Sequence, residues 1–122
     1  MIIGIGNDIL EMERVRRACR KENFVNRYFT DKEREMAGGR ESFFAGNFCV
    51  KESVAKALGT GFTGFEPADI EVLRDKMGKP YVTLYNYAKV TADALGVTDI
   101  HVSISNLKEM VSAVAVLEKI SK

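Results

Sequence analysis

Two short stretches hold the residues best suited to chemistry: Gly4-Ile5-Gly6-Asn7-Asp8 near the start of the chain, and Lys51-Glu52-Ser53-Val54-Ala55-Lys56-Ala57-Leu58 near its middle. The first offers a carboxylate at the end of an expected strand. The second offers a carboxylate and two lysines on an expected helix. Assisting chemistry on a diphosphate with Mg²⁺ calls for hard oxygen ligands, open positions for phosphate oxygens, and cations to offset developing charge. Plainer readings exist for each residue. An aspartate at a strand end often closes a turn. Glu52 and Lys56, four apart on a helix, could form a surface pair worth about 0.3–0.5 kcal/mol.

Other motifs lose force in context. Gly59-Thr60-Gly61-Phe62-Thr63-Gly64 spells GxGxxG, but a dinucleotide site needs a strand before it and a helix after it. Here a helix precedes and a loop with Pro67 follows, so the run reads as a helix cap and loop. No Walker A sequence is present, and the one histidine, His101, sits in an alternating stretch that reads as structural. Cys19 and Cys49 fall in helical patterns without metal-ligand spacing to His101, which predicts buried free thiols in a reducing cytoplasm.

A chain of 122 residues suits one domain spanning residues 1–122. Apolar residues are 46% and charged residues 29%, an ordinary soluble composition, and no apolar run approaches the roughly 18 residues of a membrane helix. Met1 to Glu13 lacks the regions of a signal peptide, so a cytoplasmic protein is expected. Residues 1–60 hold eleven Lys/Arg against nine Asp/Glu, and residues 61–122 seven against eight. So slight an excess argues against nucleic acid as partner. The asymmetry is local: Arg14 to Lys21 contains five cations and no anion, a face suited to an acidic partner.

The elements that must position these residues follow from periodicity. Ile2, Ile3 and Ile5 with their glycines predict a buried strand ending near Asp8. Met12, Val15 and Cys19 predict a helix, with Arg14, Arg17 and Lys21 on another face. Thr30-Asp31-Lys32-Glu33 reads as a capping box for a second helix ended by Gly38-Gly39. A third, more apolar helix from about Ser42 to Leu58 ends at Gly59. Ile70–Arg74 and Tyr81–Leu84 form a hairpin, a helix runs from about Tyr85 to Leu95, and His101–Ser105 alternates as a strand. Val111–Leu117, nearly continuous and β-branched, reads as an interior strand. The order βαααββαββ predicts an α+β domain, with a mostly antiparallel sheet packed against helices.

The N-terminal Met-Ile-Ile-Gly-Ile-Gly-Asn-Asp-Ile, the run Phe44 to Gly61, Asp69-Ile70-Glu71-Val72, Gly78-Lys79-Pro80 and His101-Val102-Ser103-Ile104-Ser105 occur in the order expected of one family. Over essentially its full length the chain resembles bacterial holo-acyl-carrier-protein synthases, of the 4'-phosphopantetheinyl transferase fold. The resemblance implies transfer of the 4'-phosphopantetheine arm of coenzyme A to a serine of apo acyl carrier protein, releasing adenosine 3',5'-bisphosphate. It also implies a homotrimer with active sites between subunits. Asp8 and Glu52 match the family's Mg²⁺ carboxylates, and these two with Lys56, beside the diphosphate, form the implied catalytic set. Lys51, Lys56, Gly59, Pro80 and Asn106 are the implied coenzyme contacts. The face of Arg14, Arg17 and Lys21 gains an acidic carrier protein as its natural partner.

Three positions depart from the family's pattern. Asn7 stands where threonine is usual, Asn47 where a basic residue commonly precedes Phe-x-x-Lys-Glu, and Asn106 where histidine often follows Ser-Ile-Ser. No amide carries positive charge or acts as a base near neutral pH. Asn47 and Asn106 therefore motivate an alternative, a weakly active paralogue that binds coenzyme A or carrier protein.

Overall fold

A computed structural model describes residues 1–121. The first strand, β1 (Ile2–Glu11), runs into four helices, α1 (Met12–Cys19), α2 (Phe24–Tyr28), α3 (Asp31–Ala37) and α4 (Glu41–Leu58). A 3₁₀ turn (Pro67–Asp69) leads to the hairpin β2 (Ile70–Arg74) and β3 (Pro80–Leu84), then α5 (Asn86–Leu95), β4 (Asp99–Asn106) and β5 (Met110–Glu118). All strand pairs are antiparallel. They form two sheets, a three-stranded one in the order β1-β5-β4 and the separate hairpin. The α+β class is as expected from the sequence, with the strands divided between two sheets.

The interior strand is where the apolar run placed it, with β5 between two neighbours. Its Val111, Ala113, Ala115 and Leu117 are buried, and α4 packs across that face through Ala45, Cys49, Val50, Val54 and Ala57. The Thr30 capping box also forms: its hydroxyl accepts from the Glu33 amide (3.2 Å) while the Glu33 carboxylate accepts from the Thr30 amide (3.1 Å).

Three expectations need correction. Strand β1 continues three residues past Asp8, so the aspartate lies within a strand and not at its end. Helix α2, only five residues long, is too short to show a helical period and was absent from the sequence reading. Helix α1 stops at Cys19, which leaves Lys21 beyond the helix that Arg14 and Arg17 share.

What brings the two chemical stretches together is the close approach of α4 to β1. Alternate strand residues share a face, so Gly4, Gly6 and Asp8 all point at α4. A Cβ on Gly6 would sit 2.0 Å from the Ser53 carbonyl oxygen, and one on Gly4 would sit 2.1 Å from that of Ala57. Both obstacles are backbone, so nothing short of moving the helix relieves them. Gly6→Ala should therefore cost about 1–3 kcal/mol, the usual range for overpacking, or more. A thermal melt followed by circular dichroism reads this, and an unchanged melting temperature would refute the tight α4–β1 contact.

Candidate active site

Asp8 is the next inward residue after the two glycines, which delivers its carboxylate to the α4 surface with the side chain 19% exposed. Lys56 reaches across from the last turn of α4. Its Nζ donates to Asp8 Oδ1 (3.1 Å) and to the Asn7 carbonyl (3.0 Å). An ammonium has three donors, so one N–H remains, on a side chain that is 52% exposed. The pairing of Lys56 with Glu52 suggested by their spacing does not form; the lysine bridges to the strand instead.

Glu52 lies one turn before Lys56 and shares with Asp8 a cavity of about 320 Å³ that Arg14, Leu10, Phe24 and Phe48 also line. Burial pushes the Glu52 carboxyl above its ordinary pKa, the Asp8 charge adds to that rise, and Lys56 opposes it. Glu52, its proton affinity raised by burial and by the neighbouring Asp8 carboxylate, makes with Asp8 a donor set that a hard divalent cation relieves. Cys49 sits against the same aspartate, its Sγ 3.3 Å from the Asp8 carbonyl oxygen. Burial, helped by the Asp8 charge, pushes this thiol up to about 12. It therefore stays protonated and offers no soft ligand. The other cysteine, Cys19, is half-buried, and both thiols are free.

Lys51 requires a correction. Expected at the coenzyme, it is wholly buried on another side of α4, where Nζ donates to Glu33 Oε1 (2.8 Å) and to the carbonyls of Pro67 (3.0 Å) and Ile70 (2.5 Å). All three donors are used, which leaves none for a ligand. Asn47 is buried on that side too. Its Nδ2 donates to Glu33 Oε2 and to the Val72 carbonyl, both at 2.8 Å, inside the protein. Glu33 thus caps α3 and anchors both α4 side chains. Its place in a capping box was the only hint of this in the sequence.

The remaining expected residues spread around the chain. Arg14 lines the Asp8–Glu52 cavity, whereas the Arg17 Nε lies 3.8 Å from Glu13 Oε1 and Lys21 is exposed beyond the helix. Gly59 closes α4 with φ of 80°, a left-handed conformation that glycine adopts without strain. Pro80 begins β3, and exposed Asn106 ends β4 opposite Val111. Across β5, Asn106 is level with Leu10 of β1, two strands or about 10 Å away, and Asp8 lies two residues further along that strand. In one chain neither Pro80 nor Asn106 lines the carboxylate cavity.

Residues 4–113 match the model of the 4'-phosphopantetheinyl transferase superfamily. The holo-[acyl-carrier-protein] synthase of Lachnoclostridium phytofermentans is 47% identical over 118 residues, covering 97% of each chain. That of Clostridium novyi is 49% identical over 122 residues, covering 97% of this chain and 88% of the relative. Among solved structures, a Bacillus anthracis holo-(acyl-carrier-protein) synthase in complex with CoA (3',5'-ADP) superposes with a TM-score of 0.82 at 36% identity, covering 98% of this chain and 99% of that one.

Proposed function

The chain belongs to the 4'-phosphopantetheinyl transferase superfamily, and we infer its working from that membership and from the meeting of Asp8, Lys56 and Glu52 in one cleft. It transfers the 4'-phosphopantetheine group from coenzyme A to a serine hydroxyl of apo acyl carrier protein, with adenosine 3',5'-bisphosphate as the leaving group. The serine oxygen forms a bond to the phosphorus nearer the pantetheine as the bond from that phosphorus to the bridging oxygen breaks. The serine proton departs to solvent or to a carboxylate.

Asp8 and Glu52 would hold Mg²⁺, which keeps several non-protein ligands when bound through one or two carboxylates. Bound there, the ion would supply Lewis-acid polarisation of the diphosphate. The chain's own part is positioning and electrostatics. The third N–H of Lys56, unused within the protein, suits a phosphate oxygen of the leaving group, while Asp8 fixes the lysine's reach. Arg14, on the wall of the same cleft, is placed to meet acidic groups of a carrier protein while its serine enters. The observation that carries this reading is the Lys56 bridge to Asp8 beside Glu52.

Mass spectrometry of apo carrier protein incubated with the purified chain, coenzyme A and Mg²⁺ tests the reaction, with a gain of one phosphopantetheine arm expected. Binding of coenzyme A without modification of any of several carrier proteins would restore the weakly active alternative. Arg14→Glu should raise the KM for carrier protein about tenfold or more, with little effect on that for coenzyme A, since it sets like charge against an acidic partner. An unchanged carrier KM at low salt would remove Arg14 from the docking surface.

A homotrimer is the assembly we propose. Ile2, Ile5 and Ile9 on the outer face of β1 are 59, 68 and 65% exposed, and Val114 and Val116 continue that apolar surface across β5. An exposed apolar sheet face of this kind marks an interaction site. Ile5→Lys should dissociate the assembly in analytical ultracentrifugation, and a monomeric unsubstituted protein would end the proposal. No helix among the described residues is long and apolar enough to cross a membrane. The free thiols suit a reducing compartment, and we place the reaction in the cytoplasm.

A further inference from the structure

Between Ile5 and Ile9 on the outer face of β1 stands one polar side chain, Asn7, exposed and opposite Val114 of β5. An amide therefore sits in the middle of the apolar surface assigned above to subunit contact. Ile5, Gly6, Asn7 and Val114 line a depression of about 340 Å³ there. Ile5, Asn7, Ile9, Ser112, Val114 and Val116 carry no charge, so the face calls for no oppositely charged partner. Its chemistry complements itself, because apolar groups suit apolar groups and an amide is at once donor and acceptor. Among the described residues the Asn7 amide has no hydrogen-bond partner, and left unpaired inside a dry interface it would weaken association. The backbone of the same residue reaches the cleft. Lys56 Nζ donates to the Asn7 carbonyl (3.0 Å) as well as to Asp8 Oδ1 (3.1 Å). The peptide unit is planar, and β1 is an edge strand with β5 on one side only, so whatever holds the Asn7 side chain also holds its carbonyl.

We propose that Asn7 lies on the rotation axis of the homotrimer, where three amides, each donating to the next, close a ring that fixes the number of subunits and holds the Asn7 carbonyl against Lys56. This rests on the homotrimer reading above. Equivalent residues of a cyclic assembly meet one another only at its axis. There each amide finds in its copies both the acceptor and the donor that its own chain does not supply. A single buried asparagine plays such a part in coiled coils, where it sets register and strand number at some loss of affinity. An apolar residue at this position would bind harder and choose less. Asn7 touches no substrate in this assignment. It is a positioning residue, with its side chain in the assembly and its carbonyl on the lysine that meets the leaving group.

Analytical ultracentrifugation of the full chain, paired with transfer assays over a range of protein concentration, tests this with Asn7→Asp, Asn7→Thr and Asn7→Val. Asn7 is exposed in one chain, so none of these variants disturbs the core. Asn7→Asp brings three carboxylates together and should raise the concentration at which the trimer dissociates by about a hundredfold or more. Its transfer per subunit should fall on dilution and recover as protein is added, a response that a merely misfolded variant would not give. Asn7→Thr, whose hydroxyl also donates and accepts, should remain one trimeric species. Asn7→Val should associate at least as tightly but as a mixture of sizes. A single trimer for Asn7→Val, or an Asn7→Asp that dissociates at the same concentration as the unsubstituted protein, would overturn the ring while leaving the homotrimer standing. A monomeric unsubstituted protein would end both. Should Asn7→Asp fail to fold, the species formed by Asn7→Thr and Asn7→Val decide the matter. If no transfer occurs at any concentration, the transferase reading has failed, and sedimentation of the variants still decides the ring.

Discussion

Asp8→Ala and Glu52→Ala should each lower transfer by at least about a hundredfold, the scale on which removal of one electrostatic partner of a transition state is felt. Stability cannot account for such a loss. The Asp8–Lys56 pair is an exposed one, with the lysine 52% exposed, and such pairs contribute only about 0–1 kcal/mol. Neither side chain fills core volume. Circular dichroism melts should therefore remain close to those of the unsubstituted protein while turnover collapses. The two variants should also differ. Loss of Asp8 leaves Lys56 held by the Asn7 carbonyl alone, so residual activity should respond to both added Mg²⁺ and phosphate competition, whereas loss of Glu52 leaves the Lys56 bridge in place. Activity within a few-fold of normal at limiting Mg²⁺ in either variant would dismiss the carboxylate pair as the metal site.

That pair was legible from residue types because the strand's period and the helix's period each point the right way. Asp8 follows Gly4 and Gly6 on one face of β1, and Glu52 and Lys56 lie one turn apart on α4. What spacing could not give was which partner Lys56 takes. The i,i+4 rule favours Glu52, but two backbone glycines let β1 come so near that Asp8 and the Asn7 carbonyl capture the ammonium. Caps and turns were legible for a related reason, since Thr30, Glu33 and Gly59 act through their own backbone neighbours. The burial of Lys51 and Asn47 was hidden because their partners, Glu33, Pro67, Ile70 and Val72, lie fourteen to twenty-five residues away along the chain. The division of the strands into two sheets was hidden likewise, because β3 and β4 are joined through α5 and not by a hairpin turn.

The Lys51–Glu33 pair gives the second large effect. Lys51→Met should destabilise the protein by about 3–5 kcal/mol, because it leaves the Glu33 carboxylate buried without its countercharge and takes one donor from each of the Pro67 and Ile70 carbonyls. Burial lowers the pKa of the lysine, and the Glu33 charge is the main force opposing that loss of its proton. Removing both charges together should therefore cost less than removing one. Lys51→Met with Glu33→Gln should recover a good part of the stability, since the amide can still accept from the Thr30 backbone. Denaturant unfolding of the two single variants and the double variant measures the coupling directly. Kinetics then separates the two roles open to this lysine. A structural lysine predicts that folded Lys51→Met/Glu33→Gln protein binds coenzyme A with a KM near normal at a temperature well below its melt. A coenzyme-binding lysine predicts a KM that stays raised however well the fold is restored, and that result would return Lys51 to the site from which its burial has removed it.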